Sequence, residues 1–176
     1  MINSARAEVG DIPPILASNI MFDQEDKRDD DLERLMQENV IRRHLIIEKQ
    51  GIKFGIFGLL GIDAYEVAVD REPLGFVDPI TNAKAMTTFL KGKGVDVIIA
   101  LSHGGVQQVE GVWQGEDVDL AENVPDIDVI IGGHSHTALP EPIMVNGTPI
   151  VHAGSDTKFL GELLINVSQE GVSFKQ

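Results

Sequence analysis

Apolar positions along this chain fall into short, dense runs separated by glycine, proline and acidic residues. Ile127-Asp128-Val129-Ile130-Ile131 and Val95-Asp96-Val97-Ile98-Ile99-Ala100-Leu101 are nearly continuous aliphatic stretches, each running into paired glycines. Runs of this length and branching read as strands covered on both faces. Phe54 to Leu60 reads the same way. Asp78-Pro79 is a helix start, an N-cap followed by proline at the first helical position. Ile80, Ala83, Thr87 and Leu90 then share one face, and Gly92 and Gly94 end it. Strand, helix and strand over 54–60, 79–91 and 95–102 form a βαβ unit, which makes the strands parallel. Asp117 to Val124, ended by Pro125, predicts a short second helix and hence a second parallel unit.

The flanking segments have a different character. Met1, Ile2, Ala5 and Val9 share a helical face that is already running at residue 1, with no cap before it and Gly10 as a stop. This predicts that the chain begins inside an element of a longer parent. Ile15 to Ile20 reads as a short buried strand. Asp23 to Asp31 reads as a solvated acidic loop, because a calcium loop needs a glycine and a ligand spacing that it lacks. One or two helical turns are expected around Leu32, Leu35 and Met36. Ile41 to Lys49 alternates into a strand, with a hairpin turn at Gln50-Gly51. The glycine-rich loop from Gly104 to Glu116, which holds Trp113, reads as anchored by a partly buried indole. Asn146-Gly147 between apolar runs is a hairpin signal, and Phe159 to Val167 alternates, so the sheet should be mixed.

Composition narrows the function. The chain has 176 residues, no cysteine and a formal net charge of −14. Without cysteine there are no disulfides, thiolate ligands or thiol nucleophiles. The acidic balance argues against a nucleic-acid polymer as partner. No apolar run approaches a membrane span, and the N-terminus has no signal-peptide pattern. Beyond Lys93 the basic side chains are Lys158 and Lys175 alone. A phosphate group bound in that half would need its positive charge from metal ions.

Histidines supply the candidate chemistry. His103 closes one buried run, in Leu101-Ser102-His103-Gly104-Gly105, and His134 and His136 follow another, in Gly132-Gly133-His134-Ser135-His136-Thr137. Ligands collect at the carboxyl ends of strands in open α/β sheets. If the chain stays extended past the glycines, His134 and His136 point the same way and face one spot. Three neutral imidazoles suit zinc, manganese, iron or cobalt rather than calcium or magnesium. His152 and Asp156 near a third run are candidates for orienting a ligand or contacting substrate, although a structural role for His152 is favoured. His44, mid-strand and without a partner histidine, reads as structural. The sequence Gly133-His134-Ser135-His136-Thr137 also resembles a nucleophile elbow, but that motif requires a helix after the serine, which Ala138-Leu139-Pro140-Glu141-Pro142 cannot form.

Together, Ala100-Leu101-Ser102-His103, the run 127–137 and Ala153-Gly154-Ser155-Asp156-Thr157-Lys158-Phe159-Leu160-Gly161 resemble the second half of the metallophosphoesterase (calcineurin-like) domain of the bacterial 5′-nucleotidase family. Asn19-Ile20 and Gly55-Ile56-Phe57-Gly58-Leu59 sit where that family has its matching strands. The resemblance implies an α/β fold, part of a four-layer αββα sandwich with mixed sheets. It implies a centre of two divalent transition-metal ions (Zn, Mn, Fe or Co), with His103 and His134 on one metal and His136 on the other. It implies hydrolysis of a nucleotide or other small phosphate ester by a metal-activated water, and a periplasmic or extracellular parent. The family's opening Asp-x-His, Gly-Asp and Gly-Asn-His-Glu motifs are not in this sequence, and neither is its C-terminal nucleotide-binding domain. The chain is therefore expected to be a single partial domain over 1–176, its general acid and bridging aspartate lying elsewhere. Two alternatives follow: a metal-binding fragment without turnover, its uncovered half-sheet open to self-association, or a sibling hydrolase such as a cyclic-nucleotide phosphodiesterase or a thiosulfohydrolase.

Overall fold

The computed structural model describes residues 13–168 and 171–175. The helical pattern over Met1–Val9 lies outside the described residues. In chain order, β1 (Ile15–Leu16) and β2 (Ile20–Met21) precede a 3-10 turn (Lys27–Asp29) and α1 (Asp30–Gln37). β3 (Ile41–Arg42), β4 (His44–Lys49) and β5 (Ile52–Leu60) lead to α2 (Ile62–Glu66), β6 (Gly75–Phe76) and α3 (Pro79–Gly92). β7 (Val97–His103), the hairpin of β8 (Gln107–Val109) and β9 (Val112–Gln114), and α4 (Glu116–Asn123) bring the chain to β10 (Val129–Gly132). A second hairpin, β11 (Ile143–Val145) and β12 (Thr148–His152), and a third, β13 (Leu164–Ser168) and β14 (Gly171–Lys175), follow.

The expected parallel units are present at the centre of a six-stranded mixed sheet with the order β11-β12-β10-β7-β5-β4. β5, β7, β10 and β12 run parallel, and β4 and β11 are antiparallel edges. α3 starts as its sequence dictates: the Asp78 carboxylate accepts the Thr81 N–H at 2.8 Å, with Pro79 behind it. One sheet face, through Phe57, Ala100, Ile130 and Ile150, packs on Ala83, Met86 and Leu90 of α3 and Leu120 and Ala121 of α4. The other face, through Val97, Ile99 and Val129, is covered by apolar residues of the β13–β14 hairpin, among them Ile165, Val167 and Phe174. Helices, sheet and hairpin give the mixed α/β layering that the sequence implied. The cover is partial, since Leu101 and Ile131, one pleat beyond Ile99 and Val129, are 38% and 41% exposed.

Departures from the sequence reading are local. The strand expected over 15–20 is two short pieces, β1 pairing with β3 and β2 with β6. Its buried Ser18 and Asn19 explain the interruption. Ser18 bonds Gly58 and Asn82, and Asn19 bonds Leu60 and Val77, so the backbone bends where those side chains replace ladder partners. The strand over 41–49 is broken at Arg43, whose guanidinium donates to the carbonyls of Ser18 and Ile20. Alternation over 159–167 becomes regular pairing only from Leu164, with Phe159 and Leu160 strongly exposed. The 104–116 loop contains the β8–β9 hairpin, and Trp113 within it packs against the main core.

Candidate active site at the carboxyl ends of the parallel strands

Three neighbouring strands end together. His103 closes β7, Gly132 closes β10 beside Ser102, and His152 closes β12 beside Gly132. The His103 and His134 rings meet edge to face with centroids 5.0 Å apart. Gly133 permits this approach, because a Cβ there would press on His103 Nδ1 at 3.2 Å. Partial burial, and the His134 ring beside it, lower the pKa of His103 below the usual imidazole value; His136 adds to the effect and Asp117 opposes it. A neutral imidazole is the form that donates a lone pair.

His134 and His136 do not reach this region by extended backbone. Both have left-handed conformations, φ 71° and 56°, and Ser135 N–H donates to Gly133 O at 2.9 Å, so the chain curls after the strand. The extended backbone that would make residues two apart face one spot is therefore absent here. Two non-glycine residues held at positive φ, with one residue between them, mark a loop whose geometry is fixed by its surroundings. Here the surroundings are explicit. Ser135 Oγ accepts Val106 N–H at 3.1 Å, and Thr137 Oγ1 donates to Val106 O at 3.0 Å. The serine hydroxyl thereby ties the histidine loop to the chain after β7, and no helix follows it. His136 is exposed, close enough to affect His103 and Asp156 electrostatically.

Asp156 is also exposed, and its carboxyl sits below its usual range because Ser155 and Lys158 bond it. His152 is enclosed: its Nε2 lies 2.8 Å from Asp117 Oδ2, both side chains almost without access to water. Asp117 Oδ1 accepts the Ser102 hydroxyl at 2.5 Å, and Ser102 Oγ accepts Gly104 N–H at 3.2 Å. This network bridges α4, β12 and the turn that carries His103. His44 lies away from these residues, its ring against Phe89 at 4.8 Å.

Sequence reading missed two carboxylates here. Asp63 Oδ2 lies 2.8 Å from His134 Nε2, and Glu116 accepts the backbone N–H groups of Ile62 and Asp63 at 2.7 and 2.8 Å. Both sit in segments without a histidine or a repeat to flag them; Gly61 directly after a buried strand was the available signal. The donor set suits a transition metal as far as it goes, two imidazoles side by side. Among the described residues, however, no group of three or more His, Asp or Glu side chains converges closely enough to hold an ion.

No family model matches the chain. Known proteins do. It is 29% identical over 140 residues to the trifunctional nucleotide phosphoesterase protein YfkN of Bacillus subtilis, covering 77% of this chain and 9% of that protein. It is 38% identical over 114 residues to the 5′-nucleotidase of Vibrio cholerae, covering 60% of this chain and 20% of that one. Among solved structures, the NAD nucleotidase of Haemophilus influenzae superposes with a TM-score of 0.70 at 26% identity, over 93% of this chain and 33% of its own. The chain thus spans a minor part of the length of each relative. Sequence and fold agree: the chain is similar to a portion of 5′-nucleotidases and nucleotide phosphoesterases, and shares the fold of that portion.

Proposed function

We propose that the chain contributes to a metal-dependent phosphoesterase that hydrolyses nucleotide phosphate esters, with His103, His134 and His136 as nitrogen donors to divalent transition metals. The observation that carries this reading is the meeting of the His103 and His134 rings, 5.0 Å apart, at the carboxyl ends of adjacent parallel strands. Ions bound there would supply the charge that polarises a phosphoryl group and acidifies water. The protein's own part is to favour the neutral form of His103 and to hold the histidine loop in place. Partial burial keeps the His103 proton off, and the Ser135–Val106 and Thr137–Val106 bonds hold the histidine loop against the end of β7. Scarcity of lysine and arginine beyond Lys93 supports ions, rather than side-chain cations, as the phosphate partners.

One observation favours a second reading, a metal-binding segment without turnover of its own: no three donors converge among the described residues. Phosphate release from AMP and from an aryl phosphate, with Mn²⁺ or Co²⁺ added, separates the two. Turnover by the chain that disappears in His134→Ala supports the hydrolase. Metal uptake without turnover supports the segment, and neither uptake nor turnover sinks both.

A further inference from the structure

We propose that Asp63 is a positioning residue for His134: it binds the proton on Nε2 and leaves Nδ1 as the nitrogen free to donate a lone pair. The inference rests on the reading of His134 as a metal ligand. Its basis is the 2.8 Å contact between Asp63 Oδ2 and His134 Nε2, made by residues 71 positions apart. An ionised carboxylate only accepts, so the contact requires Nε2–H; a neutral imidazole carries one proton, so Nδ1 is then bare. A carboxylate behind a ligating histidine fixes both the tautomer and the ring plane.

Asp63 is held for this purpose by bonds at the first turn of α2. Glu116 accepts Ile62 N–H with one carboxylate oxygen and Asp63 N–H with the other, and Gly61 N–H donates to His103 O at 3.3 Å. Gly61 leaves room for no side chain, since a Cβ would overlap Gly104 Cα and Glu116 Oε2. The helical turn that presents Asp63 is therefore fastened to the same turn that carries His103. One clamp sets the positions of His103 and of the carboxylate on His134. Among the described residues the Asp63 carboxylate bonds nothing else. An ordinary surface ion pair would add little and fix nothing, because Asp63 is 69% exposed. What separates the two roles is the imidazole proton.

The test uses the chain with ¹⁵N-labelled histidine, freed of metal by chelation, at a pH where imidazole is neutral. Expected in the unaltered chain is a His134 Nε2–H cross-peak that exchanges slowly with water. It should vanish in Asp63→Ala and return in Asp63→Asn, whose carbonyl still accepts. In parallel, the Co²⁺ dissociation constant should rise roughly tenfold in Asp63→Ala. A proton on Nδ1 in the unaltered chain overturns the proposal. So does a cross-peak indifferent to Asp63→Ala, or an unchanged Co²⁺ affinity. If the unaltered chain takes up no Co²⁺, the metal reading of the site fails, while the cross-peak still decides whether Asp63 orients His134.

Discussion

Asp117 and His152 are joined at 2.8 Å between a helix and the end of a strand, with side-chain exposures of 0% and 1%. A carboxylate and an imidazole withdrawn from water this far must be satisfied by protein partners, and here the two meet each other. Asp117 has a further donor in Ser102, so the pair is the middle of a network that ends at the His103 turn. Asp117→Ala strands both the imidazole and the hydroxyl, and should cost about 3–5 kcal/mol. Urea denaturation of Asp117→Ala, His152→Ala and the double variant gives the coupling directly. Non-additivity of about 1–3 kcal/mol is expected, and simple additivity would show that the contact does not hold the strands together.

Gly132 lies directly against that pair. A Cβ built on it would overlap the His152 imidazole and the Asp117 carboxylate at once. The glycine is required by space here, not by backbone angle, since it has no positive φ. Gly132→Ala must either push the two side chains apart or bend β10, and should cost about 3 kcal/mol. If thermal unfolding of Gly132→Ala matched that of the parent, the packing at the strand ends would be looser than the structure shows.

What the sequence disclosed and what it hid divides along physical lines. Runs such as 97–101 and 129–131 announced buried parallel strands because most of both faces is covered, so every position in them is apolar. Asp78-Pro79 announced α3 because capping is a local event. The pairing of His103 with His134 was legible as two histidines after two similar strands. The left-handed backbone at His134 and His136 was not, because it is imposed by Ser135 and Thr137 bonding Val106 from another segment. Asp117 looked like the start of a helix, and its role comes from His152 and Ser102, neither adjacent in sequence. Asp63 and Glu116 escaped notice for the same reason: each is an ordinary acidic residue until the fold sets a partner beside it.

The Asp78 cap provides a stability test that does not involve the site. Its carboxylate accepts Thr81 N–H, and the bonds from Thr81 hold its pKa below the ordinary carboxylate value. Asp78→Ala should lose about 1 kcal/mol at neutral pH, by thermal or urea denaturation. A depressed folded pKa means that the unfolded chain binds the proton first as pH falls. The stabilisation is therefore present above about pH 4, where the unfolded aspartate titrates, and is lost as pH drops through the folded value. The gap between parent and variant should close in acid, and a gap independent of pH would exclude the charged cap as its source.

His44 gives a pH dependence of its own at a higher range. It sits on edge strand β4 with its ring edge-on to Phe89, and burial, then the charge of Lys93, lower its pKa. The Lys93 ammonium itself lies 5.2 Å from the Phe89 ring centroid, so both neighbours come from the same end of α3. A histidine that resists protonation when folded binds fewer protons than the unfolded chain, so stability falls as pH decreases. The loss begins near pH 6.5, where the unfolded imidazole titrates, and stops below the folded value. Its slope from this one group cannot exceed about 1.4 kcal/mol per pH unit. His44→Phe keeps an aromatic edge against Phe89 and removes the titration, so its stability between pH 7 and 5 should fall less steeply than the parent's. Lys93→Ala should flatten the parent's curve part of the way, since Lys93 is the second cause of the shift after burial. Equal slopes for the parent and His44→Phe would mean that the imidazole accepts its proton as readily folded as unfolded, and the Phe89 contact would then not be what keeps water from it.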